Sequence, residues 1–198
     1  RAATDGNSGS VTLRQAISAL SQLDGREPFD AILAAFANFD THLAALRAEG
    51  KAASEGDAKA IRFRLIEAEK QLEDAGKTFL EAPKLENHHL LVERIAAEQA
   101  GSPEGFWANA AVLALASRTG GSPESHELSR KALDAAWKVP AQKVVLLAAA
   151  ARTKNRSLDD RILAAANDPD PAVAKAAKSA MQKLKLQPKA EDKTPKIA

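Results

Sequence analysis

The chain has 198 residues, a formal net charge of +2, 45% apolar side chains in which alanine is prominent, 4% aromatics and no cysteine. That length supports one substantial core or a short array of stacked units. The lack of cysteine excludes disulfides, thiolate metal sites, a cysteine nucleophile and covalent haem attachment within these residues. No run approaches the ~18 consecutive apolar residues of a membrane span, and the N-terminus lacks a charged-then-apolar signal pattern. The segment reads as soluble and, with arginine first and a polar stretch last, as a piece of something longer.

Residues 1–10, "RAATDGNSGS", are small and polar and read as a flexible N-terminal segment. A calcium loop begun at Asp5 fails, because its sixth position falls on Ser10 instead of glycine and its twelfth on Ala16. A helical region with a long charged helix is expected over 11–101. Leu13, Ile17, Leu20 and Leu23 form its first apolar stripe, ended by Asp24-Gly25. Pro28 opens a second segment carrying Phe29, Ile32, Leu33, Phe36, Phe39, Leu43 and Leu46, and the two are expected to pair as a hairpin. Glu49 to Asp57, with two glycines, reads as a break. The long charged helix follows, with Ile61, Leu65, Ile66, Ala68 and Leu72 as its stripe and an end at Ala75-Gly76. Pro83 interrupts the next stretch, where Phe79 and Leu80 fill the layer between neighbours; Leu90, Leu91, Ile95 and Ala96 then resume the stripe up to Gly101.

Ser102-Pro103-Glu104 and Ser122-Pro123-Glu124 stand twenty residues apart. Each supplies a capping serine, a first-turn proline and an acid at the positive end of a helix. The first helix carries Phe106, Trp107, Ala110, Leu113 and Ala114 and closes at Gly120-Gly121; the second carries Leu128, Ala132, Leu133, Ala136 and Trp137. Val144 to Ala151 is an almost wholly apolar helix, and Ser157 to Ala166 starts in a capping-box arrangement. The last helix follows Asp168-Pro169-Asp170-Pro171 and repeats Val173, Ala176, Ala177, Ala180, Met181 and Leu184 at three- and four-residue steps. No period-two alternation suggests strands. The expected fold is all-α: antiparallel helical hairpins stacked as a short α-solenoid over 102–186, with a closed helical bundle as the rival architecture. The four helices from Ser122 to Leu186 are expected as two consecutive hairpins that bury Val144, Leu147, Ile162, Val173 and Leu184 together. Residues 187–198 read as a linker or tail, rich in lysine and proline.

"DPDPAVAKAAKSAMQKL" resembles the second helix of a HEAT repeat, in which an Asp-Pro turn precedes valine, a basic residue, paired alanines and a late leucine. The resemblance covers Leu158 to Leu186 well and Phe106 to Thr153 loosely, with Ala174 standing where the family usually has arginine. It makes Asp168, Pro169, Pro171, Val173, Ala177 and Leu184 structural positions. An alanine-rich array followed by "QPKAEDKTPKIA" is also similar to the connector of large bacterial multidomain proteins, in which a dehydrogenase-like propeller and a c-type haem module flank helical repeats. That resemblance implies a scaffold or protein-interaction module beside a redox neighbour. It also implies a periplasmic or other extracytoplasmic setting.

Candidate chemistry is sparse. His88 and His89 are adjacent and diverge by about a hundred degrees on a helix. His89 with Glu93 supplies two metal ligands where a site needs more. His42 and His126 have no sequence partner. Trp107 and Trp137 suggest a base clamp, since DNA glycosylases exist on HEAT-like scaffolds. The carboxylate that such an enzyme needs would then be Asp134, because Ala111 follows Trp107. Glu73-Asp74 and Asp159-Asp160 read as an exposed face and a helix start. The glycines read as breaks, with no phosphate-cradling spacing. The expectation is therefore a non-catalytic scaffold with no cofactor, no bound metal, no membrane contact and no nucleic-acid role. A glycosylase or other hydrolase near Trp107/Trp137 is the alternative, and a polyanion-binding module using the lysines from Lys175 onward is the third reading.

Overall fold

Apolar stripes at helical spacing are short of partners in isolation, and here they find them in one another. The computed structural model describes residues 10–119 and 122–187, with side chains described from Leu13. Among these residues there are nine α-helices and no strand: α1 (Ser10–Leu20), α2 (Arg26–Ala52), α3 (Glu55–Leu80), α4 (His89–Glu98), α5 (Pro103–Ser117), α6 (Pro123–Ala136), α7 (Pro140–Thr153), α8 (Asp159–Ala165) and α9 (Pro171–Leu184), with a 3-10 segment over Pro83–His88. The chain is all-α, as expected. No helix is long and apolar enough to cross a membrane among the described residues. Of segments 1–10 and 187–198, only Ser10, which begins α1, and Gln187 lie within the description, and Gly120-Gly121 lies outside it.

α2 and α3 are the long arms, at 27 and 26 residues, or about 40 Å each. All seven apolar positions expected on the second segment are buried in α2. Its start lies at Arg26, preceded by Gly25 at φ 108°, a value that suits glycine. The expected break over 49–57 shrinks to Ala53 and Ser54. Gly50 stays helical, and a Cβ there would stand 3.3 Å from Ile61, so the glycine serves close approach of the two arms. α3 likewise runs past Gly76 to Leu80. Glycines 50, 56, 76 and 105 all sit inside helices, against the reading of glycines as breaks.

Pairing also departs from expectation. α1 packs more extensively on α3 than on α2, and α2 pairs with α3. Leu23, Ile66 and Leu90, placed on the stripes by periodicity, are 53%, 54% and 68% exposed. Ile66 points away from Ile61, Ala68, Leu72 and Phe79, which form the buried side of α3, while Val92 takes the buried place near Leu90.

α5 is the hub. It packs against α2, α4, α6 and α7 and is buried around its circumference, from Gly105 and Trp107 to Leu115 and Ala116. A helix apolar on every side belongs in the interior. Its start is set by Ser102, whose Oγ accepts from the Gly105 amide at 3.0 Å. Ser122 caps α6 in the same way through the Ser125 amide, and Asp170 caps α9 through Ala172 and Val173. The expected capping box at Ser157 does not form: Ser157 donates to Asn155, Asp159 binds Arg156, and α8 starts without a side-chain cap.

The final helices place Leu147, Ile162, Val173 and Leu184 in one core, with Val144 half-buried at its edge. They do not form two simple hairpins, because α6 packs on α5 and α4 instead of along α7. α7 packs on α5 and, most extensively, on α9; α8 packs on α9. The hydrophobic core runs without interruption from Leu13 to Leu184, across Gly101.

Candidate functional site

α5, along its length, and the C-terminal parts of α3, α7 and α9 line a cleft of about 990 Å³ with the side of α2. Its floor is Trp107. Phe36 of α2 stacks on the indole at a centroid distance of 4.1 Å, and the Arg152 guanidinium of α7 sits 5.2 Å from it and 4.9 Å from Phe106. Gly76 of α3 makes room for the ring: a Cβ there would lie 2.5 Å from its Cη2. Asp40 joins three helices, its Oδ2 accepting from Trp107 Nε1 at 3.2 Å and its Oδ1 from Arg152 at 2.7 Å. A partly buried carboxylate with both oxygens engaged by donors on two other helices holds α2, α5 and α7 together.

Gly76→Ala is expected to destabilise the chain by about 1–3 kcal/mol, because Trp107 is wedged between Phe36 and its neighbours and cannot retreat. A urea melt checks this, and an unchanged midpoint would refute the close packing.

The cleft walls carry further ion pairs: Arg47 with Glu69 at 2.8 Å, and Lys154 with Glu73 across the opening between α7 and α3. Glu73 therefore does more than face solvent. At the edge of the cleft, Arg118 donates to the carbonyls of Leu80 and Ala82 and reaches Glu86 at 3.4 Å. Glu86 also accepts from the Ser122 amide at 2.9 Å and meets His126 Nε2 at 3.4 Å. The Ser122 amide first, with His126 and Arg118 beside it, holds the Glu86 carboxyl below its ordinary range. His126, isolated in sequence, is thus partnered through the fold.

The sequence-derived candidates are scattered. Trp107 is buried and covered, whereas Trp137 is half-buried between Lys143 at 5.8 Å and Arg161 at 5.6 Å. Asp134 is exposed and paired with Arg161; the carboxylate that actually touches a tryptophan is Asp40. His88 stacks on Phe29 at 5.2 Å, and burial lowers its pKa. His89 turns its Nδ1 to the Glu86 carbonyl at 3.0 Å. No group of three or more potential metal ligands occurs among the described residues, so His89 and Glu93 gain no third ligand there. Asp168 binds Lys143 at 2.7 Å and accepts from the Asp170 amide. Pro171 opens α9, and Val173, Ala177 and Leu184 are buried.

Glu93 is unusual. Its Oε1 is buried without a hydrogen-bond partner, and burial pushes its carboxyl above the ordinary value of 4.5 against the opposing pull of His89. The folded state thus favours the protonated acid, so this group's contribution to stability falls as pH rises through 4.5 toward the raised value. Glu93→Gln should raise the melting temperature at pH 7 and change it little at pH 4. Equal shifts at both pH values would contradict that origin.

Against known proteins the result is negative. No family model, curated protein or solved structure matches the chain.

Proposed function

We propose that the chain is a non-catalytic helical scaffold, a short HEAT-like stack that positions a neighbouring domain or protein partner. The observation that carries this reading is the row α5, α7, α9: each packs on the next, and all three line the same cleft. Successive second helices of a solenoid are related in this way, and the first helices α4 and α6 also touch. Asp40 supports the same reading. The carboxylate best placed beside a tryptophan is taken up by Trp107 and Arg152, which suits a helix-joining role better than general-base chemistry. The resemblance to multidomain connectors makes the partner a redox domain of the same polypeptide.

The test incubates the purified chain with duplex DNA carrying alkylated bases and, separately, titrates it with heparin. The scaffold reading expects no base release and only weak heparin binding that salt abolishes. Release lost in Asp40→Asn or Asp134→Asn would establish the glycosylase alternative instead. Heparin binding that survives physiological salt would favour the polyanion reading. A flanking reading frame without a haem-attachment motif would remove the redox partner.

A further inference from the structure

The same cleft has a chemistry that points to a class of partner. Cationic side chains reach it from five helices or their ends: Arg47 from α2, Lys77 from α3, Arg118 after α5, Arg152 and Lys154 from the end of α7, and Lys183 from α9. Part of that charge answers the carbonyl ends of the helices themselves. The rest is only partly matched within the cleft. Asp40 is committed to Arg152, Glu69 to Arg47, Glu73 to Lys154 and Arg118 to Glu86, while Lys77 stands 4.0 Å from Glu81, which leaves Lys183 as the lining cation without an ion pair among the described residues.

The Lys154–Glu73 pair is the exchangeable one. Both side chains are more than half exposed, at 70% and 57%, and the pair spans the opening between the α3 wall and the α7 end. Exposed pairs of this kind are weakly held, so a carboxylate brought by a ligand can take Glu73's place on Lys154 at small cost. Lys183, exposed on α9, lines the same cleft and can receive a second one.

We propose that this cleft docks an acidic peptide segment of the partner, with glutamate or aspartate side chains bridging Lys154 and Lys183 across the mouth. The proposal rests on the scaffold reading and names the chemistry of what the scaffold holds. A peptide fits better than a polyphosphate backbone, because Asp40, Glu69, Glu73 and Glu81 share the lining and would repel a dense row of phosphates. A peptide that alternates carboxylates with neutral residues avoids them. The volume lies at the upper end of the ~300–1,000 Å³ usual for a bound ligand and leaves room for a short extended segment.

The experiment titrates the full chain with a hexapeptide that alternates glutamate and glycine, at low salt, and follows tryptophan emission, since Trp107 lines the cleft. Saturable binding is expected. The double variant Lys154→Gln/Lys183→Gln should weaken it at least tenfold, and Glu73→Gln should tighten it a few-fold by freeing Lys154. Lys175→Gln, exposed on α9 away from the cleft, and Glu98→Gln, exposed at the end of α4, should leave it unchanged. No saturable binding, or equal weakening by Lys175→Gln, overturns the proposal. So does full competition by millimolar inorganic phosphate, which would make the site a simple anion hole. Loss of binding of the alternating peptide leaves the scaffold reading standing, because base release and heparin binding decide that one separately.

Discussion

Replacing Gly105 by alanine should abolish the native fold or destabilise it by at least several kcal/mol. A Cβ at this position would fall inside the Gln99 carbonyl oxygen and press on the Gln99 carbonyl carbon and the Ala100 amide as well. All of these are backbone atoms. That carbonyl is held in place, accepting from the Ser102 amide at 2.9 Å and from Ser102 Oγ at 3.0 Å. Ser102 in turn caps α5 through the Gly105 amide, so moving any one of these groups opens the turn between α4 and α5 and unseats the hub helix. Gly56 provides the contrast. It lies in the first turn of α3 with nothing within 4 Å of its absent Cβ, and alanine there should stabilise by about 0.5–1 kcal/mol through helix propensity and a less flexible unfolded chain. Urea melts of both variants decide the matter. Equal, mild effects would show that the α4–α5 turn can relax.

Val173→Asp should be comparably severe. Val173 is fully buried on α9 in the core that also holds Leu147, Ile162 and Ala177. An aspartate there places a carboxylate in an apolar interface with no donor arranged for it, at a cost of several kcal/mol or with local release of α9. Val173→Ala, which deletes methyl groups without adding charge, should cost about 1–3 kcal/mol. An aspartate variant no worse than the alanine variant would mean that α9 turns its side chain to water.

Both effects trace back to how the sequence declares itself. Proline in a first turn, a capping serine or aspartate, and a seven-member apolar stripe such as that of α2 are local signals, and they give helix starts and buried faces directly. Leu23, Ile66 and Leu90 mislead because a three- or four-residue step can be met by two neighbouring stripes, and only the mate decides which is covered. The glycines mislead for a related reason. Gly76 and Gly105 are spaces left for Trp107 and Gln99, and a space is visible only when its occupant is known. The cleft was the least legible part, since Asp40, Trp107 and Arg152 come from three helices. One hint was present: Asp40 follows Phe36 by four residues and precedes Leu43 by three, which puts a charge on the edge of a buried stripe. Such a residue asks for partners, although the sequence does not name them.

The Asp40–Arg152 link joins positions separated by 112 residues. In an open array of stacked pairs each unit rests only on its neighbours, so a terminal unit can peel away while the rest persists. Here α2 skips along the chain, packing on α5 and holding the end of α7. The contact order is correspondingly higher, and folding waits on the closure of a long loop. Stability becomes a shared property of both ends. Trp107 beside this link and Trp137 at the C-terminal end of α6 offer separate optical reports of two regions, and their denaturation curves should coincide. The long arms would then act as a clasp, joining helices far apart in the chain into a single cooperative body.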